Sequence, residues 1–280
     1  MAISTISAQA QGDSIPGFYD GTRPELVFHL YILPNHTFYI EQMYGSEDRL
    51  IIGSWKALDA SHIVLTEQRT QQDPFVVFTS PGSGKKRHFN FQYFDQNTET
   101  ALAFGTTFDA KSLKYIHHPD ESSFSRTNFI DMSNDSAKAV YLSLPVTETQ
   151  HEVYSFDMHA NDEYVSIMYN PVSTMPNFEM KAVIKQDGLY LSDTSGREDF
   201  VGKHQPLPPH YEQDLQELKD SENIPDTLHT EIEGKERAFK RIAPTRRFTA
   251  EVTLDEQQAY FGASDDEIKT SAPAIAPAKP

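Results

Sequence analysis

Between residues 25 and 65 the apolar and polar positions alternate with a period of two, interrupted at short intervals by turn residues. Residues 25–33 (Glu-Leu-Val-Phe-His-Leu-Tyr-Ile-Leu) are dense in β-branched and aromatic side chains and stop at Pro34-Asn35. Such a run bounded by turn formers predicts a strand. Residues 36–44 predict its antiparallel return, 50–58 a third strand carrying Gly53-Ser54-Trp55, and 63–65 a fourth after the polar turn 59–62. On the first strand Phe28, Leu30 and Ile32 alternate with Val27, His29, Tyr31 and Leu33. Successive strand side chains point to opposite faces. His29 and Tyr31, joined by Tyr39 and Glu41 from the return strand, therefore form a half-polar aromatic face. Turned inward it would line a calyx for a small amphipathic ligand. Turned outward it would be the half-exposed face of an antiparallel sheet.

A displacement of 126 positions produces a fainter echo of this pattern, aligning Val27 with Val153, Phe38 with Tyr164, Leu58 with Ile184 and Leu65 with Leu191. Two unrelated β segments also share alternation, but a duplicated domain accounts for the turns as well, because Asp187-Gly188 falls opposite Ser61-His62. With further strands at 75–78, 88–94 and 101–104, the first domain is expected at 17–120, followed by a linker at 121–137. The second domain is expected at 138–260, with strands at 140–144, 153–158, 164–169, 178–184 and 189–192. Within 209–221 the period lengthens: Tyr211, Leu215 and Leu218 fall at i, i+4 and i+7, one helical face, expected to flank or plug the second domain. A hairpin over 227–242 follows, its last strand at 238–242 closing the second barrel, and 247–259 adds a strand or short helix. Residues 1–16, a signal remnant or disordered start, and 261–280, an Ala/Pro/Ser-rich tail, carry no core pattern. The expected fold is all-β, two consecutive antiparallel barrels or sandwiches with one short helix late in the second.

Gly17-Phe18-Tyr19, the hairpin at 25–44 and Gly53-Ser54-Trp55 together resemble the small bacterial lipocalin-like barrels of the NlpE N-terminal type, over about a third of the chain. The resemblance implies a small barrel with Trp55 at its packed end, and an envelope protein that binds a ligand or a partner. It carries over neither a metal-linked thiol site nor a lipid anchor, because the chain has no cysteine.

Composition narrows the function further. The formal charge is −17, and residues 1–120 hold 9 Lys and Arg against 13 Asp and Glu while the remainder holds 15 against 28. A surface of that sign repels phosphate backbones, so nucleic acid is not an expected partner. The 18 Phe and 13 Tyr supply an aromatic core suited to sheets. Absence of cysteine removes disulfides and thiolate chemistry and fits either a periplasm or a cytosol. Ala8-Gln9-Ala10 has the small-x-small form of a signal-peptidase site, which places the protein in the periplasm or outside the cell, with the cytoplasm as the alternative. No apolar run is long enough for a transmembrane helix.

Signatures of chemistry are sparse. Gly82-Ser83-Gly84-Lys85-Lys86 lacks the spacing of a phosphate-binding loop and predicts a hairpin turn. The adjacent pair His117-His118, and the group Met158, His159, Met168, Met175 and Met180, are metal-ligand types. Adjacent residues on an extended chain diverge, however, and methionines at strand positions fill cores. No cofactor is expected and no catalytic residue is assigned. The candidate ligand-binding residues are His29, Tyr31, Tyr39 and Trp55. A non-enzymatic binding or interaction protein for a small ligand or an envelope protein is the leading expectation. A hydrolase with carboxylates in a β cleft, and a structural or assembly role, are the alternatives.

Overall fold

The computed structural model describes residues 15–45, 47–69, 72–82, 84–94, 100–117, 129–193, 195–221, 223–232, 234–255 and 257–261. The signal-like stretch, His118 and the tail from 262 lie outside them. Five strands come first: β1 (Gly17–Asp20), β2 (Leu26–Ile32), β3 (Thr37–Tyr44), β4 (Glu47–Ala57) and β5 (His62–Glu67). Eight follow: β6 (Phe75–Pro81), β7 (Lys86–Gln92), β8 (Ala101–Gly105), β9 (Lys114–His117), β10 (Phe129–Ser133), β11 (Ala139–Pro145), β12 (Gln150–Asp157) and β13 (Asp162–Tyr169). Then come β14 (Glu179–Lys185), β15 (Gly188–Ser192), β16 (Glu198–Gly202), β17 (His204–Gln205) and the helix α1 (Tyr211–Ser221). The last described elements are β18 (Thr227–Ile232), β19 (Lys235–Ile242), β20 (Arg246–Glu251) and β21 (Ala259–Phe261).

These elements form two compact units, neither contiguous in sequence. One joins residues up to 71 with 175–224; the other joins 72–174 with those from 225 onward. The expected boundary at 121–137 is therefore displaced. Part of that segment is β10, and Ala137 is fully buried. The units are nested, not consecutive.

The first unit is a nine-stranded antiparallel sheet in the order β16-β15-β14-β5-β4-β3-β2-β1-β17. Because β16 and β17 are separated only by Lys203, the sheet almost closes on itself. At the seam β16 approaches β1 so closely that a Cβ on Gly202 would lie 2.4 Å from the Asp20 carbonyl oxygen. Inward positions alternate along β1, β3 and β5, as barrel geometry requires. They carry one continuous cluster that includes Tyr19, Leu30, Ile32, Phe38, Ile40, Trp55, Leu65 and Leu189. Ile15, within the stretch expected to precede the domain, belongs to it too, with the Tyr19 hydroxyl donating to its carbonyl at 2.8 Å.

The second unit pairs two six-stranded sheets, β10-β7-β13-β6-β19-β18 and β20-β12-β11-β8-β9-β21. Both contribute to one core: Phe75, Val77, Phe89 and Ile167 from the first, Leu102, Val140, Leu142 and Phe156 from the second. That is sandwich packing, with two parallel pairs, β7–β13 and β9–β21, inside a mainly antiparallel arrangement. The hairpin strand at 238–242 lies between β6 and β18 and closes no barrel. Residues 246–251 resolve the strand-or-helix alternative as β20. Phe261, placed at the edge of the tail, is buried in β21.

The 126-residue echo does not describe this fold. β2 and β3 pair as a hairpin, whereas their counterparts β12 and β13 lie in different sheets, β12 beside β11 and β20, β13 beside β6 and β7. The rest of the echo, β14 and β15, returns to the first unit beside β5. Alternation fixes which face a residue occupies; it does not choose the partner strand.

Candidate functional site

The four candidate ligand residues fall on two sides of the barrel wall. Trp55 shares the inward face with Phe38 and Ile40, is 6% exposed, and donates its indole N–H to the Leu33 carbonyl at 2.9 Å. His29, Tyr31 and Tyr39 lie on the outward face, each half-buried. The interior is occupied by the hydrophobic cluster, so the calyx placement is corrected: the half-polar aromatic face looks outward.

Strand register assembles that face into two rows. Tyr31 sits opposite Phe18 on β1 and Tyr39 on β3. His29 sits opposite Asp20 and Glu41. The rings of Phe18 and Tyr31 are 4.9 Å apart, and those of Phe18 and His29 5.4 Å. His29 Nδ1 lies 2.9 Å from the Glu41 carboxylate and its Nε2 3.9 Å from Asp20. Burial raises the Tyr31 hydroxyl pKa above its ordinary value, and Glu41, Asp214 and Asp20 add to the shift. The Asp20 carboxyl is held below its usual range first by the Thr22 backbone N–H, which donates to it at 2.9 Å.

Asp214 comes from α1, which belongs to the barrel unit and not to the second unit where the sequence pattern assigned it. Helix formation is favoured locally: Glu212 and Asp214 stand in the first turn and Lys219 in the last, matching the helix dipole. Leu215 is the buried anchor, 3% exposed. Between α1 and the β2–β3 turn remains a slot of about 350 Å³ lined by Leu33, Pro34, Asn35, Tyr39, Tyr211, Glu212, Leu215 and Gln216. Its rim is fixed by the turn itself. His36 adopts a positive φ of 65°, the Asn35 side chain accepts from the Thr37 backbone N–H at 3.1 Å, and the Trp55 backbone N–H donates to the His36 carbonyl at 2.9 Å. The Tyr211 hydroxyl donates to Glu212 at 3.2 Å; burial and then that bond raise its pKa.

Tyr39 alone of the four candidates lines the slot; Tyr31 and His29 continue the same face beside it. Tyr211 and Leu215 were visible in sequence as a helical stripe, but nothing in periodicity assigned that stripe to the first barrel. Phe18 and Asp20 follow from register alone.

The remaining motifs resolve structurally. The loop at Gly82 and Gly84 folds over a carboxylate of the same unit, the Gly84 backbone N–H donating to Glu163 at 2.8 Å. Its amide is thus occupied by an internal anion. His117 packs against the Phe261 ring, with centroids 5.2 Å apart. Met158 is core; Met175 and Met180 belong to the barrel unit, whereas Met158, His159 and Met168 belong to the sandwich. Among the described residues no three His, Asp or Glu side chains are grouped to hold a metal, and no helix is long and apolar enough to cross a membrane. In the sandwich, His151 Nδ1 contacts the Ser143 hydroxyl at 3.1 Å, but Ser143 is fully buried and cannot meet a substrate.

No protein-family model, curated protein or solved structure matches the chain.

Proposed function

We propose that the chain is a non-enzymatic binding protein of the bacterial envelope, and that its ligand site is the slot between α1 and the outer face of the β2–β3 hairpin. The observation that carries this reading is the pairing of a filled barrel interior with an open, tyrosine-walled slot outside it. About 350 Å³ suits a small molecule, at the lower end of ligand pockets. Tyr39 and Tyr211 offer ring faces, while Asn35, Gln216 and Glu212 offer hydrogen-bonding groups, the mixture that orients an amphipathic ligand. The envelope assignment rests on the signal-peptidase-like Ala8-Gln9-Ala10.

The test is a titration of ¹⁵N-labelled protein with small phenyl-bearing amphipaths. Amide shifts are expected around 33–39 and 211–216, accompanied by a change in emission from Trp55, which is bonded to the slot residue Leu33. A Tyr39→Ala, Tyr211→Ala variant loses both responses. Shifts confined to other regions, or equal binding by the variant, refute the site. Recovery of the protein from its source cells with residues 1–10 still attached refutes the envelope assignment.

A further inference from the structure

The slot itself carries charge of one sign only. No Lys or Arg lines it, and its single charged wall residue is Glu212. One register step along the sheet from the Tyr31–Tyr39 pair stand Asp20 and Glu41 on either side of His29. Asp214, one residue before the helix anchor Leu215, acts electrostatically on Tyr31 from the opposite wall. Between the acids lie ring faces: Phe18 and Tyr31 in mutual contact, then Tyr39 and Tyr211 in the slot itself.

Resting on the slot reading above, we infer that the ligand is an organic cation, an ammonium group carried on an aromatic or short aliphatic body. The concave, tyrosine-walled cavity determines that a small body fits. The acids around it determine the sign of the charge that body carries. Aromatic faces attract a cation through their quadrupole, most strongly where water is excluded. The Glu212 carboxylate in the wall, and the acids beyond it on α1 and the sheet, add a Coulomb attraction that salt screens over about 8–10 Å. Part of this acidity is already used internally: His29 contacts Glu41, and the Tyr211 hydroxyl contacts one Glu212 oxygen. Asp214 and the second Glu212 oxygen remain the groups to neutralise an incoming ammonium. A neutral molecule of the same shape gains only the ring contacts, and an anion is repelled.

Three probes of matched shape separate the contributions: 2-phenylethylamine, 2-phenylethanol and 3-phenylpropionate, each titrated into the full chain at low and at moderate salt. The amine is expected to bind about tenfold more tightly than the alcohol, equivalent to one added favourable charge interaction. The propionate is expected not to bind. Raising the salt, or introducing Asp214→Asn with Glu212→Gln, brings the amine-to-alcohol ratio toward one. Equal binding of amine and alcohol, or preferential binding of propionate, overturns the cation inference and leaves the slot standing. Failure of all three to shift the slot amides overturns both.

Discussion

Glu67 ends β5, where the chain leaves the barrel for the 72–174 excursion, and it is the barrel's one deeply buried carboxylate among the described residues, 6% exposed. Arg69 holds it with two bonds, Nε to Oε1 at 2.9 Å and Nη2 to Oε2 at 2.8 Å. The Phe178 backbone N–H donates to Oε2 at 2.7 Å, and the Glu67 N–H donates to the Phe178 carbonyl at 2.8 Å. Arg69 also donates to the Met175 carbonyl at 3.0 Å. The departing and returning strands are thereby fastened at one point. Glu67→Ala takes the counter-charge from a guanidinium whose side chain is 14% exposed, leaving it the Met175 carbonyl, and removes the acceptor of the Phe178 N–H. Breaking a buried pair from one side costs roughly 3–5 kcal/mol.

Arg69→Ala leaves the carboxylate with the Phe178 N–H, so its cost falls nearer the lower end, about 3 kcal/mol. The double variant strands neither charge and should cost about 2 kcal/mol less than the two singles combined, within the range seen for directly coupled neighbours. Urea unfolding read by Trp55 reports on the barrel alone, because the chain has no other tryptophan and this one sits in the barrel core. At a slope of about 2 kcal/mol per molar, Glu67→Ala lowers the midpoint by about 2 M. A loss under about 1 kcal/mol for Glu67→Ala, or singles that add within about 0.5 kcal/mol, refutes the fastening argument.

Two further perturbations probe the barrel core. Burial pushes the Tyr19 hydroxyl from 10.0 to about 12. The unfolded chain therefore ionises first, and stability falls from pH 10 to 12; Tyr19→Phe removes its share of that slope, and an unchanged slope refutes it. Gly53→Ala would set a Cβ 2.2 Å from the Thr66 carbonyl oxygen and 2.6 Å from the Phe38 ring, costing about 1–3 kcal/mol as overpacking; a melting temperature equal to that of the parent protein excludes the clash.

Most individual strands could be read from the chain, because alternation bounded by turn residues is a local property. β2, β3, β4 and β5 fall where the apolar and polar positions place them, and Trp55 lies inward as its parity with Phe38 across the hairpin requires. The helix was equally plain from Tyr211, Leu215 and Leu218. Assignment of elements to units was not legible, since the pairing of β5 with β14 joins Leu65 to Met180, and no local signal encodes a partner that distant. The same blindness hid the site. His29, Tyr31 and Tyr39 were marked by their chemistry, but the wall that makes a slot of Tyr39 comes from a helix over 170 residues later. Whether their face looked in or out turned on the size of the inward side chains. Phe38, Trp55 and Tyr19 fill a small barrel and leave the polar set outside.

Nesting also constrains how the site comes into being. The barrel sheet is incomplete until β14, β15 and β16 pair across from β5 to β1, which requires the whole of 72–174 to have been made. The sandwich in turn needs β19 beside β6 and β20 beside β12, and those strands follow α1. Each unit therefore waits on a segment lying beyond part of the other. The barrel is built mainly from hairpins between consecutive strands and is completed by the distant β5–β14 and β1–β17 pairs, whereas the sandwich rests largely on pairings of long sequence separation, the class that folds slowly. The slot is last in the barrel's own order: α1 can seat Leu215 only on a β2–β3 face that already exists. Its helical wall is held chiefly by the buried Leu215, with Tyr211 and Leu218 half-buried and most other side chains of α1 exposed. Local opening free energies are lowest where few apolar contacts hold an element, and a ligand bridging Tyr39 and Tyr211 would add to that single anchor.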